Sequence, residues 1–140
     1  IHQSNLLNYF IKDIKKENIE KDLNNLLKKI KKDKKYYLST KDIMLIESLK
    51  SDGVKVLKKF EDLYEIDNSN IPNDIQLLID NNEAGLVLLR LVEIIGQDEI
   101  ENIGTETLYF IISALNQLDI DPLRNKILLK VLPLKVKKYN

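Results

Sequence analysis

Two stretches decide the fold of this chain: AGLVLLRLVEII at residues 84–95 and TLYFIISALNQL at residues 107–118. Both are apolar on almost every side of a helix. Each is followed by a signal that ends a helix or starts the next, Gly96 after the first and Asp121-Pro122 after the second. Helices of this kind lie in the centre of a fold with neighbours on several sides. We therefore expect residues 84–95, 107–118 and 122–132 to form the densest part of the core.

The rest of the chain favours helices over strands. Only 4 Gly and 3 Pro occur in 140 residues, and aromatic residues make up 6%, whereas strand-rich domains need more turn, β-branched and aromatic residues. Three residues separate Leu118 from Pro122, so the two flanking helices are expected to be antiparallel neighbours. The sequence thus predicts an all-α fold of six to eight short helices, arranged as stacked helical hairpins or an irregular bundle.

Apolar residues at helical spacing predict an N-terminal helical pair with a bend near Glu17–Asn18, followed by a linker at Lys31–Tyr37. Ser39 begins the next helix and Asp52-Gly53 ends it, since glycine adopts the left-handed conformation at low cost. Apolar residues keep their helical spacing from Leu45 to Phe60, on both sides of the glycine. One long helix is therefore the alternative to the turn that we favour.

Charge is segregated along the chain although the total is zero. Residues 1–60 carry 15 Lys and 8 carboxylates (net +7), residues 61–121 carry one basic residue and 14 carboxylates (net −13), and residues 122–140 carry 6 basic residues and no carboxylate (net +6). Such blocks attract partners or each other. We divide the chain into a basic helical pair with its linker, 1–37, and a main helical core, 38–140, and expect the first to dock on the second.

Residue types that perform catalysis are scarce. Cysteine is absent, His2 is the only histidine, and the 4 glycines are too far apart for a phosphate-binding loop or a dinucleotide fingerprint. The acidic stretch Gln97–Glu101 lacks the alternating ligands and central glycine of an EF-hand loop. We expect no catalytic residue, no cofactor and no metal ligand, and hence a protein that is not an enzyme.

Two groups of charged residues stand out. Arg90 and Glu93 lie three residues apart on an apolar helix, and since an unpaired buried charge is costly, they are predicted to form a structural ion pair. The second group is a basic run that can contact a partner protein, nucleic-acid phosphates or anionic lipid. Its members are Lys28, Lys29, Lys31, Lys32, Lys34, Lys35, Tyr36 and Tyr37.

The C-terminal half contains Glu83-Ala84-Gly85-Leu86 leading into Leu91–Gly96, then Thr107–Phe110 and Leu128–Leu134. Through these packing residues it resembles the C-terminal helical region of large uncharacterised alphaproteobacterial proteins. The resemblance implies a helical-repeat protein that can belong to the cell envelope. The alternative location is the cytoplasm. It implies no catalytic residue.

The sequence therefore predicts a non-enzymatic helical module for protein–protein interaction or scaffolding. Because the chain begins at Ile1 and not at Met, we expect it to be part of a larger protein. The longest nearly apolar run, Ala84–Ile95, is too short and too charged to span a bilayer. The alternative function is binding of nucleic acid or an anionic membrane through the Lys28–Lys35 run. An enzyme would need active-site residues from outside this chain.

Overall fold

The computed structural model describes residues 5–11, 13–33, 35, 37–64 and 71–132. Within these ranges the chain forms seven α-helices and three 3₁₀ turns and no strand, which confirms the all-α prediction. The α-helices are α1 (Lys16–Lys32), α2 (Thr40–Ser51), α3 (Glu61–Tyr64), α4 (Asn73–Asp80), α5 (Ala84–Ile95), α6 (Thr105–Gln117) and α7 (Asp121–Val131). The 3₁₀ turns are Asn5–Phe10, Lys58–Phe60 and Ile100–Asn102.

The chain divides into two compact units. The first unit comprises Ile1–Glu65 and Leu132–Asn140, and the second unit comprises Ile66–Val131. This division differs from the boundary at residue 37 that the sequence predicts. The reason is a set of contacts between residues more than thirty positions apart, which local patterns do not show.

These contacts tie α1 to the segment that follows α2. The Glu20 carboxylate accepts a hydrogen bond from the Lys55 backbone N–H at 2.9 Å. The Asn24 amide donates to the Lys55 carbonyl at 3.2 Å and accepts from the Leu57 N–H at 3.1 Å. Since α1 is joined in this way to residues 55–57, the basic helix belongs to the same unit as α2.

Helix α1 begins at Lys16, before the expected bend, and ends later than predicted. Glu17 and Asn18, where a bend was expected, lie in the first turn of α1, and the apolar stripe that follows them, Ile19, Leu23 and Leu27, is fully buried. The step from Ile14 to Ile19 interrupts the helical spacing of apolar residues, and Ile14 lies before the start of α1. Lys31 and Lys32, predicted to be linker, form the last turn of α1.

The predicted turn at Gly53 is confirmed. Ser39 caps α2 in a capping box, its hydroxyl accepting from the Asp42 N–H and its own N–H donating to the Asp42 carboxylate. Helix α2 ends at Ser51, and Gly53 has φ of +96°. This left-handed backbone favours glycine over every residue with a Cβ atom.

The second unit consists of two helical hairpins. Helix α4 packs against α5, α6 packs against α7, and α4 also contacts α6. Gly96, with φ of +62°, ends α5 as predicted. The 3₁₀ turn Ile100–Asn102 follows and packs against α7.

The two helices that decide the fold differ in burial. In α6 every residue from Leu108 to Leu115 is buried, as expected of a central helix. In α5 only Val87 and Leu91 are buried, so its predicted central position is wrong. One narrow face of α5 is covered, and most of its other apolar residues stay accessible.

Candidate functional site

An apolar groove runs through the second unit, with a volume of about 260 Å³. Helices α5 and α7 form its two walls and α6 forms its floor. The lining residues are Leu88, Leu91, Val92, Ile95, Ile100, Ile111, Leu115, Leu123, Lys126, Ile127 and Lys130. All of them belong to the second unit, so the groove is built within one compact body.

The wall from α5 is a helical stripe. Its four residues, at 88, 91, 92 and 95, follow the i, i+3, i+4, i+7 spacing that places side chains on one face of a helix. Leu91 is 3% exposed at the bottom of the wall, whereas Val92 is 63% exposed at the rim. The groove is therefore open to solvent along α5.

The wall from α7 repeats this spacing at residues 123, 126, 127 and 130. Here two of the four positions are lysines, Lys126 and Lys130, which lie one helical turn apart. Both are exposed, and neither pairs with a carboxylate among the residues that the structure describes. The groove thus combines an apolar interior with an unneutralised positive edge.

The α6 floor is formed by two buried apolar residues. Ile111 and Leu115 are 1% and 0% exposed and lie one turn apart, so both place apolar side chains between the walls. Because α6 is buried along its length, the floor is held in place by the unit itself.

Arg124 holds α7 from the side turned away from the groove lysines. Its side chain is fully buried. Its Nη1 donates to Asn116 Oδ1 of α6 at 3.0 Å, and its Nε and Nη2 donate to Asn125 Oδ1 at 3.0 and 2.8 Å. The Asp121 carboxylate lies 3.5 Å from Nη1. A buried cation linked in this way fixes the position of α7 on α6.

Arg90 and Glu93, predicted as a structural pair, are brought together by the structure. Arg90 Nη1 lies 2.8 Å from the Glu93 carboxylate, and Nη2 lies 2.9 Å from the Asp74 carboxylate of α4. The cluster is on the face of α5 opposite the groove and is partly exposed, not internal. The hydrogen bond from Arg90 lowers the pKa of Asp74 below its usual value, and the same hydrogen bond is the main cause of a raised pKa for Arg90.

The predicted basic run is split between helix and coil. Lys28, Lys29, Lys31 and Lys32 are exposed on the last turns of α1, while Lys35 and Tyr37 are exposed beyond its end. Tyr37 is 85% exposed. Lys34, Tyr36 and also His2 lie outside the described residues.

The structure adds members to this run that the sequence did not place there. Lys31 Nζ donates to the backbone carbonyl of Lys59 at 2.7 Å. The ammonium groups of Lys31 and Lys59 lie 5.9 and 5.2 Å from the centre of the Phe60 ring. The 3₁₀ turn Lys58–Phe60 thereby joins its two lysines to those of α1.

The described parts of the chain hold neither a metal-binding cluster nor a membrane-spanning helix. No cluster of three or more His, Cys, Asp or Glu residues is arranged to hold a metal ion there. Across the same ranges, no helix combines the length and the apolar character needed to cross a membrane.

Sequence reasoning missed both the groove and Arg124, although signals for each were present. Helix α5 has several apolar stripes, and the groove uses the one at positions 88, 91, 92 and 95. The sequence does not show which of these stripes remains accessible to solvent. Arg124 stands three and four residues before Ile127 and Leu128, on the apolar face of α7. A basic residue at such a position is a signal for a buried cation.

Comparison with protein families, with curated proteins and with solved structures found no match for this chain. The geometry of the two surfaces is therefore what bears on function.

Proposed function

We propose that this chain is a non-enzymatic protein-interaction module whose second unit binds an acidic amphipathic helix of a partner protein. The observation that supports this most directly is the open apolar groove between α5 and α7. Binding of an amphipathic helix in a hydrophobic groove is a recurrent mode of peptide recognition.

The shape of the groove fits a helix. Two helical walls and a helical floor supply three sides of a four-helix arrangement, and an incoming helix would supply the fourth. Each wall stripe runs from position i to position i+7, which corresponds to about 10 Å along a helix axis. A partner segment of two to three turns would cover this length with apolar residues at i, i+3, i+4 and i+7.

The two lysines at the α7 edge of the groove favour a partner helix that carries acidic residues. Lys126 and Lys130 have no carboxylate partner among the described residues, and they lie one turn apart. A partner with two carboxylates one turn apart along the edge of its apolar face would pair with both. Rim pairs of this kind contribute little affinity, roughly 0.2–1 kcal/mol each, but they set orientation and exclude basic partners.

Apolar burial would supply most of the affinity. Val92 and Leu123 are 63% and 39% exposed, and full burial of such a side chain stabilises by about 1.5–3 kcal/mol. Covering the exposed parts of these two residues is therefore worth roughly 2 kcal/mol in total. A charge placed at Val92 would remove that residue's part of the gain and would also desolvate a carboxylate.

The experiment measures peptide binding by fluorescence anisotropy. The probe is a labelled 18-residue helical peptide with leucines at i, i+3, i+4 and i+7 and glutamates along one edge, and the matched probe has lysines in place of the glutamates. We expect the acidic peptide to bind and Val92→Asp to weaken it by at least about tenfold, or about 1.4 kcal/mol. Leu89→Asp is the control, because Leu89 is 61% exposed on the same helix but does not line the groove.

Charge reversal gives a second arm. The double variant Lys126→Glu/Lys130→Glu should prefer the basic peptide over the acidic one. Equal effects of Val92→Asp and Leu89→Asp, or an unchanged preference in the charge-reversed variant, would overturn the proposal. Self-association of the free protein that Val92→Asp abolishes would also overturn it, since the occupant would then be a second copy.

A further inference from the structure

A second surface, in the first unit, has a different chemistry. It is formed by the last turns of α1 and by the 3₁₀ turn Lys58–Phe60, two segments that contact each other. We name it the basic face. Its lysines are Lys28, Lys29, Lys31, Lys32, Lys58 and Lys59, all of them exposed.

The centre of the basic face is the contact between Lys31 and Lys59, which are 28 residues apart in sequence. Both ammonium groups lie within 6 Å of the centre of the Phe60 ring, which is 2% exposed. The ring and the Lys59 carbonyl thus hold two like charges beside each other. The helix dipole favours lysines at the end of α1, but it does not account for Lys58 and Lys59 on another segment.

No carboxylate among the described residues pairs with any of these six lysines. No ion pair within 4 Å therefore relieves the repulsion between them in the described part of the chain. A ligand with regularly spaced negative charges would release counterions on binding, which is the main driving force for binding of polyanions to lysine-rich surfaces.

An anionic membrane fits this face less well than a nucleic acid. Helices that bind membrane surfaces insert an apolar face beneath the headgroups. The apolar stripe of α1 is unavailable for this, because Ile19, Leu23 and Leu27 are each 0% exposed. Leu57, at 51% exposure, adjoins the cluster, but one leucine is far less than an inserting helix face.

Tyr37 points to the form of the nucleic acid. It follows α1 by five residues and is 85% exposed, and exposed aromatic rings stack on unpaired bases. Lysine contacts phosphate as a point charge and does not read base edges as arginine does. We propose that the basic face binds single-stranded nucleic acid through its phosphate backbone, without sequence preference, independently of the groove.

The test measures anisotropy of a labelled 20-nucleotide oligo-dT between 50 and 200 mM salt. If four phosphates are neutralised, the salt slope is about −3, so affinity falls by about 60-fold over this range. Lys31→Gln/Lys59→Gln should remove two phosphate contacts and reduce the fall to about sevenfold. Lys126→Gln/Lys130→Gln, which removes the same charge from the second unit, is the control: it alters the groove edge, but it should bind the oligonucleotide as the unmodified chain does.

Two more variants separate binding from folding. Lys28→Gln/Lys58→Gln removes two charges that do not contact the Phe60 ring, and it should reduce the salt slope equally. Tyr37→Leu should weaken binding several-fold at every salt concentration and leave the slope unchanged. Absence of binding at 50 mM salt, or equal losses in the Lys126/Lys130 control, would overturn the proposal. So would binding to vesicles containing 30% phosphatidylserine without binding to the oligonucleotide.

Discussion

Replacing Arg124 with alanine should destabilise the protein strongly, although the residue lies outside the groove. The side chain is fully buried, and its hydrogen bonds in the described part of the chain include two to Asn125 Oδ1 and one to Asn116 Oδ1. Removal leaves these oxygens without their donors, leaves the Asp121 carboxylate without its nearby cation, and opens a void the size of a guanidinium group. The loss of the Asn116 bond acts on the contact between α7 and α6, whereas the losses at Asn125 and Asp121 act within α7.

The size of the stability loss depends on how far water can replace the hydrogen bonds that Arg124 makes to its partners. Removing one member of a buried charged network costs about 3–5 kcal/mol. The Asp121 side chain is 47% exposed and both asparagines are half-buried, so water can reach part of the network. We therefore expect the lower end of that range, about 3 kcal/mol, for Arg124→Ala. For a chain of this size, that is a fall in melting temperature of about 12 °C.

The assay is chemical and thermal unfolding followed by circular dichroism. Arg124→Met fills most of the void without restoring the hydrogen bonds, so it should lose less than the alanine variant, about 1–2 kcal/mol. Lys126→Ala, two residues along the same helix but exposed, should stay within about 0.5 kcal/mol of the parent. A loss below 1 kcal/mol for Arg124→Ala would show that the buried guanidinium does not hold α7, and the reasoning would be refuted.

Two further predictions concern single positions in each unit. Gly53→Ala should lower the free energy of unfolding by about 1–2 kcal/mol, because φ at this position is +96°. Gly85→Ala should raise the free energy of unfolding by up to about 1 kcal/mol, because Gly85 lies on a helix and an added Cβ atom would meet nothing within 4 Å. Denaturant midpoints that move in the same direction for both variants would contradict this. Asp74 should titrate below 3.8 in carboxyl-carbon NMR, because the hydrogen bond from Arg90 favours the ionised form. The stabilisation from that contact is then present at neutral pH and is lost as the pH falls through the lowered pKa of Asp74, and Arg90→Gln should return the pKa towards 3.8. An identical titration in both proteins would disprove the coupling.

The sequence is most informative where a local interaction fixes the backbone. Ser39 and Asp42 make their capping box within one turn, and Gly53 and Gly96 have the positive φ expected after a helix. Each of these features depends on residues close together in the chain, and each was predictable. The burial of α6 was also predictable, since no side of that helix is polar enough to face water.

The boundary between the two units was not predictable in the same way. It depends on the hydrogen bonds of Glu20 and Asn24 to residues 55–57, whose partners are 31 to 35 positions away. Nothing in the pattern around Glu20 distinguishes a side chain that reaches a distant backbone from one that faces solvent. The basic face has the same origin, because only the packing of α1 on the turn Lys58–Phe60 brings its two lysine segments together.

Helix α5 connects the failed prediction to the proposed function. Its apolar residues exceed what its neighbours cover: Leu86, Leu89 and Val92 are 48%, 61% and 63% exposed. Sequence reasoning assigned this excess to burial inside the fold, since apolar residues on every side of a helix normally imply neighbours on every side. In the structure the stripe that includes Val92 forms a wall of the groove and its rim stays accessible. If the groove is the binding site, the missing neighbour is the partner helix, and the pattern that misled the fold prediction is a requirement of the interaction. Comparing Val92→Asp with Leu89→Asp tests this directly, because both variants relieve the same apolar excess and only the first should abolish peptide binding.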